Sequence, residues 1–367
     1  MTPPPVGPVL DAIEALLPPL LGTFERLAWV QRHLFPPEAP RLAGVLTEER
    51  ESLPAALRAL EALACPDDVR FMRERLLDVA RRTADLVAAF SDAARSPGDV
   101  IGLYRPLRRF ASVQETLYPL APVLDAVSRW FLEPARRGDD LLVERLRAAA
   151  LREDEVPVGI RHADNAHAAR GGLSLYVPEA WDGRSAMPLV VALHGGSGHG
   201  RDFLWSWLAD ARTREVLLMA PTSRERTWSI IGGEDVDAEN LRHMVESVAA
   251  RYPVDKSRVL LTGMSDGATY ALVCGLEEGM PFTHLAPACG VLHPKLLLGD
   301  RLARAHGRPV YVIHGALDWM FPIHVARQAR DLLVAAGARV IYREIEDLSH
   351  TYPRDENPRI VDWLMSA

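Results

Sequence analysis

The stretch Val259-Leu260-Leu261-Thr262-Gly263-Met264-Ser265-Asp266-Gly267-Ala268 decides how this chain folds. An apolar, strand-like run leads directly into Gly-x-Ser-x-Gly, and a helical pattern over 266–277 follows at once. A serine in that context sits on a sharp strand-to-helix turn. Side chains flanking so tight a turn would collide, which accounts for glycine at 263 and 267. The turn lifts the Ser265 hydroxyl above the end of a sheet. It also sets Ser265 at a helix N-terminus, where developing negative charge is favoured. A glycine-bounded turn without chemistry is the plain alternative, and the strand–turn–helix context favours a nucleophile.

Outward from this stretch the same alternation recurs. The apolar run 189–193 precedes a helical stretch at 201–212, and 216–220 precedes a loop and then 236–251. Further on, 310–313 precedes 323–336, and 340–345 leads to 357–365. A hairpin of 156–161 with 173–177 opens the series, its polar loop ending Arg170-Gly171-Gly172. Continuous apolar runs alternating with amphipathic helices predict an α/β fold with a doubly wound, mostly parallel sheet covered on both faces. Such sheets carry their ligand sites at the carboxyl ends of the strands.

A second segment there is Leu193-His194-Gly195-Gly196-Ser197-Gly198. A tetrahedral oxyanion needs preorganised N–H donors, and a glycine-rich turn lets backbone amides point inward unobstructed. The rival is a phosphate loop. However, the segment lacks the Gly-Lys-Ser/Thr ending, its glycines at 196, 198 and 200 do not follow Gly-x-Gly-x-x-Gly, and the next run ends Met219-Ala220-Pro221 without an acid.

A serine nucleophile needs a base, and the base an orienting acid, in the order Ser, Asp or Glu, His. Downstream stand His284, His293, His306, His314, His324 and His350. Only His350 lies in a loop after a late apolar run, in Glu346-Asp347-Leu348-Ser349-His350-Thr351. The loop after the preceding run, His314-Gly315-Ala316-Leu317-Asp318, offers Asp318 as the acid. A surface His350 and a helix-capping Asp318 are the plain readings of each residue alone. His314 reads as a satisfied core histidine and His324 as part of the following helix.

The run from Tyr252-Pro253-Val254-Asp255-Lys256-Ser257-Arg258 through Gly263-Met264-Ser265-Asp266-Gly267-Ala268 resembles the nucleophile region of the α/β-hydrolase superfamily. Within it, the likeness is to phospholipase/carboxylesterase and dienelactone-hydrolase-like serine esterases. The run is also similar to polyhydroxybutyrate-depolymerase-like and feruloyl-esterase-like proteins. His314-Gly315 with Asp318 and Pro322 looks like the acid loop of that group. The resemblance covers about residues 156–367. It implies Ser265 as nucleophile, Asp318 as acid and His350 as base, with oxyanion donors from the Gly196 and Asp266 N–H groups. It implies no cofactor or metal.

The Asp266 side chain is expected to turn away into its own helix N-terminus, leaving only its N–H at the site. Trp228, Trp319 and Phe321 lie near the site in sequence and are candidates for lining an acyl or aryl pocket, domain packing being the alternative. The chemistry expected is hydrolysis of small-molecule carboxylic esters through an acyl-enzyme. Thioesterase, amidase or peptidase activity with the same triad, or a non-catalytic interaction protein, are the alternatives.

Before residue 152 the pattern is helical throughout, giving an all-α domain at 1–152 ahead of a hydrolase domain at 153–367, with a charged linker at 148–156. Helices are expected at 47–63, 139–151 and, opening on Pro66-Asp67-Asp68, at 67–93, with short helices where prolines cut the rest. The doublets Arg81-Arg82, Arg108-Arg109 and Arg136-Arg137 read as solvated helix faces rather than an anion site. This half has length enough for its own core. It is expected either to wall the active-site mouth or to mediate homo-oligomers.

Composition is that of an ordinary globular protein. The chain has 367 residues, 48% hydrophobic and 25% charged, with a net charge of −7 and therefore no global field to draw nucleic acid. Three cysteines are too few for a disulfide framework, so free buried thiols are expected, a Cys274–Cys289 bridge being the alternative. The N-terminal stretch has no Lys or Arg, and Asp11, Glu14, Pro18 and Pro19 interrupt it, making a poor secretory signal. No window offers ~20 apolar residues free of charge, so no membrane span and a cytoplasmic location are expected.

Overall fold

The computed structural model describes residues 5–96, 98–152 and 156–366. Its chain divides into two compact units, Met1–Gly138 and Asp139–Ala367. The first is helical, with α1 (Gly7–Arg32), α2 (Ala39–Gly44), α3 (Glu49–Glu61), α4 (Asp67–Ala93), α5 (Val100–Leu117) and α6 (Asp125–Trp130). The range read for α4 is the range found. Around Tyr118-Pro119 and Pro122 the elements are short, as expected there: a 3-10 turn at Tyr118–Leu120 and then α6. By contrast, Pro18 and Pro19 lie inside α1 and Pro106 inside α5 without breaking them. Packing overrides the local penalty. The buried stripe of α1 runs Val9, Ile13, Leu16, Leu20, Phe24, Leu27, at helical spacing. Phe24 meets Phe110 of α5 and Trp130 of α6 edge-on, with ring centroids 5.0 and 5.4 Å apart. Arg81 and Arg137 pair with Glu61 and Glu25, and Arg82 binds Ser112 and Thr116, so these guanidinium groups tie helices together.

The second unit opens with α7 (Asp140–Ala150), so the division falls at Gly138 rather than near residue 152. Residues 153–155 of the expected linker lie outside the described residues. There follow β1 (Gly159–Ala163), β2 (Leu173–Val177), β3 (Met187–Leu193), α8 (Gly200–Phe203), α9 (Leu208–Arg214), β4 (Leu217–Pro221), α10 (Val236–Arg251) and β5 (Val254–Met264). The chain ends with α11 (Asp266–Gly275), β6 (His284–Ala288), β7 (Pro309–Gly315), α12 (Ile323–Ala335), β8 (Arg339–Ile345) and α13 (Asn357–Met365).

These eight strands form one sheet in the order β1-β2-β4-β3-β5-β6-β7-β8. Only β2 runs against its neighbours, and the strands from β4 to β8 are mutually parallel. Every residue of β3 is buried, as a strand covered on both faces requires. Each fully buried Leu or Val there contributes about 1.5–3 kcal/mol. β4 lies on one side of β3 and β5 on the other, and that reversal opens a crevice at their carboxyl ends.

Two elements differ from the reading. The stretch 201–212 forms two short helices around a 3-10 turn rather than one helix. β6, read as no strand, is central: its sequence His284-Leu285-Ala286-Pro287-Ala288 lacks β-branched residues, and only its place between β5 and β7 makes it one. All three cysteines are free thiols, Cys274 and Cys289 buried and Cys65 half-buried. Among the described residues no helix is long and apolar enough to cross a membrane.

Candidate active site

Ser265 stands between β5 and α11 with φ 57° and ψ −119°, a backbone region costly for any residue with a side chain. The turn is held by the Ser265 N–H donating to the Ala288 carbonyl at the end of β6. A Cβ on Gly263 would fall 2.6 Å from the Gly267 backbone. One on Gly267 would fall 2.5 Å from the Leu193 and His194 carbonyl oxygens. Glycine at 267 therefore serves the close approach of the 194–198 loop as well as the turn.

The three residues singled out in sequence come together. His350 Nε2 lies 3.0 Å from Ser265 Oγ, and His350 Nδ1 lies 2.9 Å from Asp318 Oδ2. All three are buried. The carboxylate fixes the tautomer, since Nδ1–H donates to Asp318 and leaves Nε2 to accept from the serine hydroxyl. Asp318 also accepts from the N–H groups of Met320 (2.9 Å) and Phe321 (2.8 Å) through Oδ1. Burial pushes the Asp318 carboxyl up, but the hydrogen bond and charge of His350 and the Phe321 N–H outweigh it, so its pKa lies below the ordinary carboxylate value. The carboxylate stays ionised at neutral pH. Glu346 and Asp347, the neighbouring carboxylates in sequence, are exposed.

His314 is fully buried, and its Nε2–H donates to the Phe321 carbonyl at 2.7 Å. Its Nδ1 has no hydrogen-bond partner among the described residues, so the core reading holds but one ring nitrogen is unsatisfied there. Burial lowers its pKa and keeps it neutral.

The 194–198 loop closes on itself through Gly198 N–H to the Gly195 carbonyl (2.9 Å), with Ser197 at φ 55°. A Cβ on Gly195 would stand 3.5 Å from the Ser265 Cβ, so the loop lies against the serine. Among the described residues neither the Gly196 nor the Asp266 N–H donates a hydrogen bond.

One expected role does not hold. The Asp266 carboxylate does not cap its own helix. Its Oδ2 accepts from Thr227 Oγ1 at 2.6 Å, and a Cβ on Gly196 would lie 2.5 Å from that oxygen. The local capping preference loses to a partner in the 222–235 loop. Trp228 packs in the core of the second unit. It is 2% exposed, stacks on Tyr270, and donates its Nε1–H to the His194 carbonyl at 2.7 Å. Trp319 and Phe321 do flank the site, both edge-on to the His350 ring at 6.0 and 5.4 Å.

Sequence reading passed over the residues that hold the 194–198 loop. His194 donates through Nδ1 to the Gly195 carbonyl (2.7 Å) and accepts through Nε2 from the Ser223 N–H (3.1 Å). Asp237, buried at the start of α10, accepts from Arg224 N–H, Ser229 N–H and Ser229 Oγ and so shapes the 222–229 segment. Burial raises its pKa against those bonds. The signal was the long connection between β4 and α10, since long ordered loops without secondary structure are commonly functional.

No family model matches the chain, and no curated protein matches it. Solved structures do resemble it. A thermostable esterase is 20% identical over 56% of this chain, with a TM-score of 0.45; this chain spans 62% of that one, less than two thirds. The S-formylglutathione hydrolase FrmB of Staphylococcus aureus is 14% identical over 56% of this chain and 98% of its own, with a TM-score of 0.46. The esterase Est2 of Thermogutta terrifontis, solved with butyrate bound, is 18% identical over 57% of this chain and 91% of its own, with a TM-score of 0.43. The strand order, with its reversal at β3, and the Gly-x-Ser-x-Gly elbow after β5 define an α/β-hydrolase fold.

Proposed function

We propose that this protein hydrolyses small-molecule carboxylic esters through an acyl-enzyme on Ser265. The observation that carries the reading is the unbroken hydrogen-bond line from Ser265 Oγ through His350 to Asp318, laid along the carboxyl ends of β5, β7 and β8. His350 takes the serine proton as Oγ attacks the ester carbonyl, and Asp318 stabilises the imidazolium. The N–H groups of Gly196 and Asp266 receive the oxyanion. His350 then protonates the departing alkoxide, and water, deprotonated by His350, releases the acid. Trp319, 41% exposed, and Phe321 supply an apolar flank for the acyl or alcohol group.

The test is hydrolysis of p-nitrophenyl acetate and butyrate by the pure full chain, beside a thioester and an anilide of the same acyl group. Ester cleavage lost in Ser265→Ala supports the reading. A preference for the thioester or anilide moves the assignment to another acyl transfer on the same residues.

A further inference from the structure

We infer that Arg170 is a positioning residue for the oxyanion-binding loop, holding the 194–198 turn in the geometry that stabilises the transition state. This rests on the esterase reading above. Arg170 comes from neither the elbow nor the turn but from the connection between β1 and β2. Its Nη1 donates to the Gly198 carbonyl at 2.7 Å and its Nε to the Glu225 carbonyl at 3.0 Å. Nη2 donates to Ser223 Oγ and again to the Glu225 carbonyl. One planar guanidinium thus joins the far end of the oxyanion turn to the segment that follows β4, and its acceptors are two carbonyls and a hydroxyl rather than a carboxylate.

The side chain is aimed from a pinned backbone. The carbonyl of Ala169 accepts from His199 Nε2 at 2.9 Å, and His199 itself caps α8 just beyond the turn. Gly171 N–H donates to the Ser223 carbonyl (3.2 Å), and the Gly172 carbonyl accepts from Thr222 N–H (2.8 Å). A Cβ on Gly172 would lie 2.1 Å from the Asp164 carbonyl oxygen, so the strand start leaves no room for drift. From the other side, Arg226 donates through Nε to Ser197 Oγ (2.8 Å) and accepts from Ser197 N–H (3.1 Å). Gly198, the residue Arg170 grips, closes the turn that presents the Gly196 N–H. Oxyanion donors act only when aimed before the charge develops, and a displacement near 1 Å costs about 100-fold in rate. Arg is suited to this place because its rigid fork meets several acceptors at once, whereas an ammonium is a single point charge.

The experiment compares full-length wild type, Arg170→Ala and Arg170→Lys on p-nitrophenyl butyrate, with melting temperature, with the rate of fluorophosphonate labelling, and with or without guanidinium ion below denaturing concentration. The expected result for Arg170→Ala is a fall in kcat of roughly 10- to 100-fold, with KM within about threefold. Labelling should slow in parallel, added guanidinium should restore part of kcat, and Arg170→Lys should recover little. A folded Arg170→Ala with wild-type kcat overturns the inference, as does a loss confined to KM. Should Arg170→Ala not fold, Arg170→Lys gives the same readout: lower kcat at constant KM supports the inference, and unchanged kcat overturns it. Wild type that neither hydrolyses the ester nor takes the label overturns the esterase reading and this inference with it, an outcome visible before any Arg170 variant is made.

Discussion

Asp318 and His350 sit 32 residues apart in sequence, and the carboxylate Oδ2 meets the imidazole Nδ1 at 2.9 Å. Adjacent parallel strands bring them together, since β7 delivers one loop and β8 the other. Asp318→Asn keeps the shape but favours the wrong histidine tautomer. Turnover should fall about 10⁴-fold, with the melting temperature largely kept. Asp347→Asn and Glu346→Gln, on exposed side chains, should stay within about twofold of wild type. A larger loss at 346 or 347 than at 318 would reassign the acid. The check is kcat on one ester for all three variants.

The elbow trades stability for position. With φ 57° and ψ −119°, Ser265 occupies a region that glycine adopts freely. Ser265→Gly should therefore abolish hydrolysis while stabilising the fold by roughly 1 kcal/mol. Ser265→Ala should abolish it without that gain. Denaturant melts of the three proteins decide the point, and a Ser265→Gly less stable than Ser265→Ala would deny the strain.

Gly267 is required by its neighbours rather than by its own dihedrals. The clash of an added Cβ with the Leu193 and His194 carbonyls is backbone against backbone. Gly267→Ala should cost about 1–3 kcal/mol and lower activity beyond the loss in folded protein, because the 194–198 turn against Ser265 must shift. Activity per folded molecule, measured beside the melt, separates the two effects.

Much of this was readable beforehand, for a physical reason. The elbow, the glycine turn and the Asp318 and His350 loops each follow a strand whose apolar run is local and continuous, so β3, β5, β7 and β8 and the site they carry were legible. β6 was not, because an Ala- and Pro-containing segment becomes a strand only through its neighbours. α1 was not, because the cost of Pro18 and Pro19 is local while the compensating burial is tertiary. Trp228, a pocket candidate with packing as its alternative, lies in the core behind the 194–198 turn. Arg170 carried no pattern at all, since its partners are carbonyl groups, which every residue possesses.

Stability should weaken on mild acidification. Burial depresses the pKa of His199, His284 and His314 below the ordinary value near 6.5. In the unfolded chain these rings protonate first. Their contribution is therefore full above about pH 6.5 and is lost as pH falls through the lower folded-state values. His284→Phe keeps a ring against Trp363, whose centroid is 4.8 Å away, and removes one of these titrations. The drop in melting temperature between pH 8 and pH 5 should be smaller in that variant. An equal or steeper drop would count against a role for His284.

The helical first unit has its own core around Phe24, Phe110 and Trp130. A chain beginning at Asp139 keeps α7, the whole sheet and every group at the site. It should fold and retain ester hydrolysis, with any change in oligomeric size read by light scattering. A folded but inactive protein would mean that residues before 139 complete the site.

The most direct measurement is mass spectrometry of the full chain after reaction with a small fluorophosphonate, beside Ser265→Ala. One adduct is expected, on the peptide carrying Gly263-Met264-Ser265-Asp266-Gly267, and none in the variant. Undiminished labelling of Ser265→Ala, or a folded wild type that takes no label while a known serine hydrolase in the same tube does, would contradict Ser265 as the nucleophile.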